Sequence, residues 1–379
     1  MLSKLLRFGL LGFLLTGCST LTHLQNSMFP STSSTAKQNA AATPATAPTT
    51  VGPAKHVALL LPLSGDLANA GSAIQAGFND EYQSNPNKPT VKVYDTSQAT
   101  AINDLYDQAA NDGADYIVGP LDKTNVANLQ SRGDIKVITI ALNSTGNASN
   151  SPDFYQFGLS PTDEAQLAAD KASQDGHHSA LLITPSGSWG DGIANALRQR
   201  WQSDGGVIVG SVSVSNNSNL TSQIRQLLQV NGQTRRQDID AIFLITQPVL
   251  ARQIKPLLKF YFAGDVPVYS TSLIYTGWTN TAADQDLNGV EFCDMPLVLA
   301  QQGQWSQVRQ QLTLSQPATM QQYIRLYGLG WDAALLTQEF NQLPNGISGA
   351  TGSLYTDNQQ RILRHLPWAV FQNGNATVM

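Results

Sequence analysis

The side chains best suited to chemistry are five histidines and two cysteines, and their spacing limits what they can do. The histidines are His23, His56, His177, His178 and His365. None of them falls in a His-Glu-x-x-His or Cys-x-x-Cys pattern, the spacings that direct several ligands at one zinc ion. We therefore expect no metal site and no cofactor, and we interpret His177-His178 as a solvated turn.

A nucleophile is the next chemistry to consider. Gly346-Ile347-Ser348-Gly349-Ala350 approaches the Gly-x-Ser-x-Gly pattern of a nucleophile elbow. It ends in Ala, however, and it follows no apolar strand that would hold the serine at the tip of a sharp turn. The carboxylates, such as Asp240 and Asp265, show no paired arrangement suited to general acid and base catalysis. The sequence predicts no catalytic residues and no enzyme.

Cys18 indicates a different chemistry, covalent attachment of lipid. Leu15-Thr16-Gly17-Cys18 closes an apolar run that begins at Phe8, and Lys4 and Arg7 precede that run. A run of roughly 10 residues is too short to cross about 30 Å of hydrocarbon, so it is typical of a secretory signal rather than a membrane span. We predict that residues 1–17 are a lipoprotein signal peptide and that Cys18 is acylated. The alternative is an ordinary signal peptide with a chance cysteine. Lipoproteins of Gram-negative bacteria without Asp after the cysteine usually reach the outer membrane, and Ser19 occupies that position here.

The composition fits an exported globular body behind this anchor. The chain has 22 Lys and Arg against 27 Asp and Glu, a net charge of −5, so nothing favours nucleic acid as a partner. Residues 18–54 are dominated by Ser, Thr, Ala and Pro and predict a disordered tether. With Cys18 acylated, Cys293 has no disulfide partner within the chain, and we predict that it is a small buried apolar residue.

From His56 onward, short apolar runs alternate with amphipathic stretches. Residues 56–61 read as a buried strand and 68–82 as a helix, because apolar residues recur there at helical spacing. The same alternation continues to residue 157 and resumes from 163 to 269. Fully apolar short strands between amphipathic helices indicate parallel sheets covered on both faces. The sequence predicts an α/β protein with two doubly wound, mostly parallel sheets flanked by helices.

The carboxyl ends of parallel strands form the edge at which open α/β sheets bind ligands. Ser64, Asp122 and Asn143 follow strands of the first half, and Trp189 and Tyr275 follow strands of the second. We therefore take these five residues as candidate cleft residues for a small polar ligand. The alternative is that they only pack the hinge and close the two halves against each other.

Several runs resemble known families. Leu59-Leu60-Leu61-Pro62-Leu63-Ser64-Gly65 and the run from Gly113 to Leu121 resemble the type I periplasmic binding proteins. Lys259-Phe260-Tyr261-Phe262-Ala263-Gly264-Asp265 and Phe292-Cys293-Asp294-Met295-Pro296 resemble the LppC family more specifically. The resemblance extends over nearly all of the chain from His56.

The resemblance implies a two-lobed type I periplasmic-binding-protein fold. On that basis we place lobe 1 at residues 55–158 and lobe 2 at 159–290. The chain is then expected to return to lobe 1 over 291–340 and to lobe 2 over 341–379. In proteins of this fold a glycine-rich segment such as Gly346-Ile347-Ser348-Gly349-Ala350 forms a crossing between the lobes.

The resemblance also implies a non-enzymatic role as an outer-membrane lipoprotein facing the periplasm. Its partner would be a class A penicillin-binding protein, a peptidoglycan synthase that it binds and stimulates. Arg252, Lys255 and Lys259 recur at i, i+3 and i+7, one helix face, and form a candidate docking patch; the alternative is a plain solvated face. The alternative function is a lipoprotein that captures an amino acid or similar small ligand for a transporter or sensor.

Overall fold

The computed structural model describes residues 52–84, 88–97, 101–315 and 321–379. The predicted signal peptide, Cys18 and nearly all of the predicted tether lie outside these residues. Within them, none of the helices has both the length and the apolar character that crossing a membrane requires.

Strands and helices alternate over most of the described chain. The strands are β1 His56–Leu61, β2 Thr90–Asp95, β3 Tyr116–Val118, β4 Ile138–Ala141, β5 Phe154–Phe157, β6 Ser179–Pro185, β7 Val207–Val214, β8 Ala241–Leu244, β9 Val268–Ser270, β10 Val290–Cys293, β11 Ile347–Ser348, β12 Ser353–Thr356, β13 Arg361–His365, β14 Trp368–Gln372 and β15 Asn375–Val378. The helices are α1 Ala68–Ser84, α2 Ile102–Asn111, α3 Lys123–Gln130, α4 Pro161–Gln174, α5 Ser188–Ser203, α6 Leu220–Leu227, α7 Pro248–Phe260, α8 Thr281–Asp284, α9 Pro296–Leu299, α10 Gly303–Ser315 and α11 Ile324–Glu339.

The strands form two sheets, one in each lobe. The first sheet has the order β11-β12-β13-β5-β4-β3-β1-β2, and the second has the order β15-β14-β10-β9-β8-β6-β7. The strands from β1 to β5 pair in parallel, as do those from β6 to β10, whereas β11, β12, β14 and β15 add antiparallel pairs at the sheet ends. Two doubly wound, mostly parallel sheets are what the alternating pattern predicted, and this prediction is confirmed.

Each sheet is covered by helices because its central strands are apolar on both faces. Five of the six residues of β1 are buried, and every residue of β3, β4 and β8 is buried. The most intimate helix pair is α1 with α11, on one face of the first sheet. A Cβ built on Gly77 would lie 1.9 Å from the carbonyl oxygen of Tyr327, so the two backbones nearly touch there.

The chain passes between the sheets at three places, near residues 158–160, between β10 and α11, and at 366–367. These positions correct the predicted returns. Val290–Cys293 is a strand of the second sheet, and Leu297, Leu299 and Leu312 pack in the second lobe's core, so residues 291–315 stay with lobe 2. The return to lobe 1 is made by α11, which packs on α1.

The last predicted segment is divided between the lobes. The strands β11, β12 and β13 extend the first sheet, because β13 pairs in parallel with β5, and only β14 and β15 join the second sheet. The prediction that Gly346-Ile347-Ser348-Gly349-Ala350 crosses between lobes is therefore wrong. This segment turns within lobe 1, where β11 pairs with β12 and the amides of Ala350 and Thr351 are bound by Asp332 of α11.

Candidate functional site

A cavity of about 440 Å³ lies where the two lobes meet. The loop after β4, from Asn143 to Gly146, supplies one wall together with Lys123 at the start of α3. The first turn of α4 and one face of α5, which begins with Ser188 and Trp189, supply the other wall. The lining is mostly polar, with hydroxyl and amide groups from both lobes. Such a cavity is suited to a small polar molecule.

Two of the five predicted cleft residues line this cavity, Asn143 and Trp189. Asn143 is buried; its Nδ2 donates to the carbonyl oxygen of Leu121 at 3.0 Å, and its Oδ1 accepts from the amide of Ser144 at 2.8 Å. Trp189 is half-buried, and its indole Nε1 is shielded from solvent with no hydrogen-bond partner among the described residues. Buried polar atoms of folded proteins usually have a hydrogen-bond partner, so this indole N–H is an exception.

The structure does not place the other three predicted residues in the cavity lining. Asp122 caps α3, accepting from the amide of Asn125 at 3.0 Å, so its carboxylate serves the helix start. Ser64 is tied to the loop after β2, where its amide donates to Ser97 Oγ at 3.1 Å.

Tyr275 is buried in the core of lobe 2, which contradicts its assignment to the cleft. Its ring packs against Phe292 and Phe371, with centroids 5.6 Å and 5.8 Å away. The residue follows the strand end as predicted, but the short helical turn at Ser272–Ile274 leads it into the core.

Three charged residues of the cavity were missed by sequence reasoning: Lys123, Asp163 and Arg361. Burial lowers the pKa of the Lys123 ammonium and raises the pKa of the Asp163 carboxyl, while Ser160 and two nearby arginines oppose the rise at Asp163. Arg361 is also paired with Asp357 at 2.8 Å. The cavity thus offers groups of both signs. They come from α3, α4 and β13, which only the tertiary fold brings together.

A buried ion pair joins the lobes beside the cavity. Glu164 of α4 and Arg364 of β13 meet at 3.1 Å, with only 8% and 4% of their side chains exposed. The second oxygen of Glu164 accepts from Ser272 Oγ at 2.6 Å and from the Ser272 amide at 3.2 Å. Both oxygens of Glu164 therefore have partners, which keeps its buried charge tolerable, whereas Arg364 Nη1 has none among the described residues.

A second buried pair fixes the connection between β10 and α11. Arg325 of α11 donates to both oxygens of Asp294, at 3.0 Å and 2.5 Å, and also to the carbonyl oxygens of Ser272 and Tyr275. Burial raises the pKa of the Asp294 carboxyl, and the Arg325 guanidinium opposes this. Together the two ion pairs set the relative position of the lobes in this structure.

Carboxylates also accumulate between α1 and α11. Burial, together with repulsion from Glu339 and Asp332, raises the pKa of Glu81 to about 7. Burial raises the pKa of Asp332 to about 6, although it accepts hydrogen bonds from Thr351 and Ala350 that act in the opposite direction. The packing of these helices is therefore sensitive to pH.

Cys293 is fully buried, and burial raises the pKa of its thiol, as expected of an unreactive core residue. The prediction that it is a small buried apolar residue is confirmed. In the part of the chain that the structure describes, no group of three or more His, Cys, Asp or Glu side chains could hold a metal ion.

The predicted docking patch lies on α7 but is not one open basic surface. Arg252 is bound to the buried carboxylate of Asp284 at 2.7 Å. Lys255 is half-buried. Burial lowers the pKa of its ammonium, and repulsion from Lys259 lowers it too, by less. Of the three residues, Lys259 alone is exposed.

The fold is that of the type I periplasmic binding proteins. This class is defined by two α/β lobes, three chain crossings between them and a cavity at their junction. Residues 35–374 match the model of a family described as "LppC putative lipoprotein", and the chain belongs to this family. The resemblance seen in the sequence is confirmed.

The chain is similar to one curated protein and two solved structures that we describe in turn. The chain is 33% identical to the penicillin-binding protein activator LpoA of Haemophilus influenzae over 327 residues, 84% of this chain and 54% of that protein. It thus spans about half the length of the curated relatives it matches.

Among solved structures, the LpoA C-domain of Haemophilus influenzae, described as a regulator of PBP1A, superposes with a TM-score of 0.72 at 31% identity, over 86% of this chain and 99% of that one. A "putative branched-chain amino acid ABC transporter" of Chromobacterium violaceum superposes with a TM-score of 0.67 at 26% identity, over 83% and 99% of the two chains.

Proposed function

We propose that this protein is a non-enzymatic regulator of peptidoglycan synthesis that binds and stimulates a class A penicillin-binding protein. The observation that carries the proposal is the match to the LpoA C-domain, which is covered almost entirely and is described as a regulator of PBP1A. The names of the relatives, an activator and a regulator, support action through contact with the synthase rather than through catalysis.

The test uses the full chain, purified in mild detergent, and a purified class A penicillin-binding protein of the same organism. We expect the chain to bind the synthase and to raise its rate of glycan polymerisation or peptide crosslinking at least twofold. A heat-unfolded sample serves as the control. If the folded chain neither binds nor stimulates the synthase, the proposal is wrong.

Attachment to the outer membrane is part of the same proposal. The signal pattern ending at Cys18, with Ser19 after it, and membership in a lipoprotein family support it. We expect the wild-type chain to fractionate with outer membranes and to incorporate labelled palmitate, and Cys18→Ser to do neither. A Cys18→Ser variant that stays in the outer-membrane fraction would contradict lipid anchoring.

The cavity supports a second candidate function, capture of a small polar ligand. Groups of both signs and Trp189 line it, and the similarity to the Chromobacterium protein points in the same direction. An amino acid panel should then raise the melting temperature of the wild type by several degrees, and Trp189→Phe should reduce this shift. No shift with any member of the panel would rule out amino acids as ligands.

A further inference from the structure

The outward face of α7 carries an exposed apolar side chain near each end. Val249 and Phe260 are 55% and 70% exposed, and eleven residues separate them, which brings them to nearly the same side of the helix. Gln253 and Pro256, which lie between them on that side, are exposed as well. The outer face of a helix on a globular protein usually carries charged and polar residues. Its composition here indicates a face that is covered by something else.

The aromatic surface continues past the end of the helix to Phe262. This residue has φ +65°, in the left-handed region that glycine normally occupies after a helix and that a bulky residue rarely adopts. The Ala263 amide donates to Leu258 O at 2.8 Å and closes the turn. As a result, Phe262, two residues beyond Phe260, stays 44% exposed instead of entering the core.

Arg235 holds this turn in place from below. Its Nε donates to the carbonyl oxygen of Phe262 at 2.8 Å, and its Nη2 donates to both oxygens of Asp265 at 3.1 and 3.0 Å. The guanidinium itself is only 7% exposed. The two exposed rings are therefore presented by a fixed scaffold, which reduces the ordering that a partner would have to impose.

The charge of this face is positive. Pro248–Phe260 contains no Asp or Glu, and Lys259 is exposed directly beside Phe260. Lys255 adds a partly buried charge one turn earlier. Of the nearby acids, Asp265 is balanced by Arg235 and Asp284 by Arg252, while Asp286, on the turn that packs against α7, is exposed. The face thus complements a surface that combines apolar groups with carboxylates.

We propose that one surface of this helix and the turn after it binds an acidic, apolar protein surface of the partner. This α7 docking surface consists of Val249, Pro256, Lys259, Phe260 and Phe262. The assignment rests on the proposed function, in which that partner is the class A penicillin-binding protein. The rings fill an apolar depression of the synthase, and Lys259 pairs with a carboxylate at its rim. Exposed aromatic anchors of this kind dominate the energetics of many interfaces.

The test compares two variants of the full chain with two matched controls. Phe260→Ser and Lys259→Glu alter the docking surface. Leu314→Ser removes an apolar side chain that is 81% exposed on α10, and Lys88→Glu reverses an exposed charge in lobe 1. Far-ultraviolet circular dichroism and melting temperature establish that all four variants fold.

Binding to the immobilised synthase is measured at low and at high salt. We expect Phe260→Ser to raise the Kd at least tenfold, which corresponds to 1.4 kcal/mol. Lys259→Glu should raise it about fivefold or more at low salt and much less at 0.5 M salt, because added ions screen the repulsion. Both controls should stay within twofold of the wild type, and stimulation of the synthase should fall in parallel with binding.

The outcomes separate this assignment from the proposed function. If the wild type binds the synthase and both variants bind equally well, the α7 docking surface is wrong while the proposed function stands. If the wild type does not bind at all, both are overturned. If the wild type is a dimer and Phe260→Ser makes it a monomer, the occupant is a second copy. If the only property that the variants lose is sedimentation with purified peptidoglycan, the occupant is that polymer. A second copy or the polymer as occupant would overturn the assignment to the synthase.

Discussion

Removing the Arg364 guanidinium should weaken the protein strongly, because it would leave the Glu164 charge buried between the lobes. At 3.1 Å the attraction between the two groups is about 5 kcal/mol for an effective dielectric constant of 20. Desolvation offsets much of this in the intact pair, but a variant loses the attraction and keeps the buried carboxylate. Ser272 still donates two hydrogen bonds to that carboxylate. We therefore expect Arg364→Met, which preserves length and volume, to lower the free energy of unfolding by about 3 kcal/mol.

The assay is urea unfolding at pH 7.5, followed by tryptophan fluorescence and by circular dichroism. Arg361→Met is the matched control, since Arg361 lies on the same strand and its pair with Asp357 is partly solvated. We expect that control to cost less than about 1 kcal/mol. The double variant Glu164→Gln with Arg364→Met should recover most of the loss, because no charge is then left buried.

Two results would refute this reasoning. One is a loss for Arg364→Met that is no larger than the loss for Arg361→Met. The other is a double variant that is less stable than Arg364→Met alone, since the stranded charge would then not be the cause.

Three further predictions concern the helices and the core. The pKa of Glu81 is raised from 4.5 to about 7, so the stability of the wild type should fall as pH rises from about 4.5 through 7. In urea unfolding, Glu81→Gln should reduce the loss of stability between pH 5 and pH 8 by about 2 kcal/mol. An unchanged dependence of stability on pH would contradict this. Gly77→Ala should lower the free energy of unfolding by about 3 kcal/mol, because its Cβ would meet a backbone oxygen of α11. Gly133→Ala, at an open position, should lower it by less than about 0.5 kcal/mol. Similar melting temperatures for the two variants would count against the close packing. The Cys293 thiol should react with a thiol reagent such as Ellman's only in denaturant, and rapid reaction of the native protein would show that it is accessible.

The fold could be predicted well wherever a strand is buried on both faces. Residues 57–61 and 116–118 are apolar throughout, and the strands predicted at 56–61 and 116–118 have the same bounds in the structure. The sheet to which a strand belongs was harder to predict. Val290–Cys293 is apolar enough for either lobe, and only its pairing with β9 in the folded protein decides between them.

The cavity could be predicted only in part, because position along a strand does not determine where a side chain points. Asn143 and Trp189 follow strand ends and do line the cavity, whereas Tyr275 follows one and turns into the core. The Asp122 carboxylate accepts from the amide of Asn125 in its own helix, a local competition that residue type alone does not resolve. Asp163 and Arg361 lie far apart in sequence and meet at the cavity only through the tertiary fold.

The division of the last strands between the two sheets has a consequence for how the chain acquires its structure. The neighbour of β5 on one side is β13, and the neighbour of β10 on one side is β14, so neither lobe can finish its sheet until the residues after 360 are available. Pairing Gln156 with Arg361 closes a loop that contains all of lobe 2 except β14 and β15. Such distant contacts slow folding, and they favour completion of both lobes in one late step. A chain that completes its core late can remain unfolded long enough to be translocated in an extended form, which is the state that the proposed export of this chain requires.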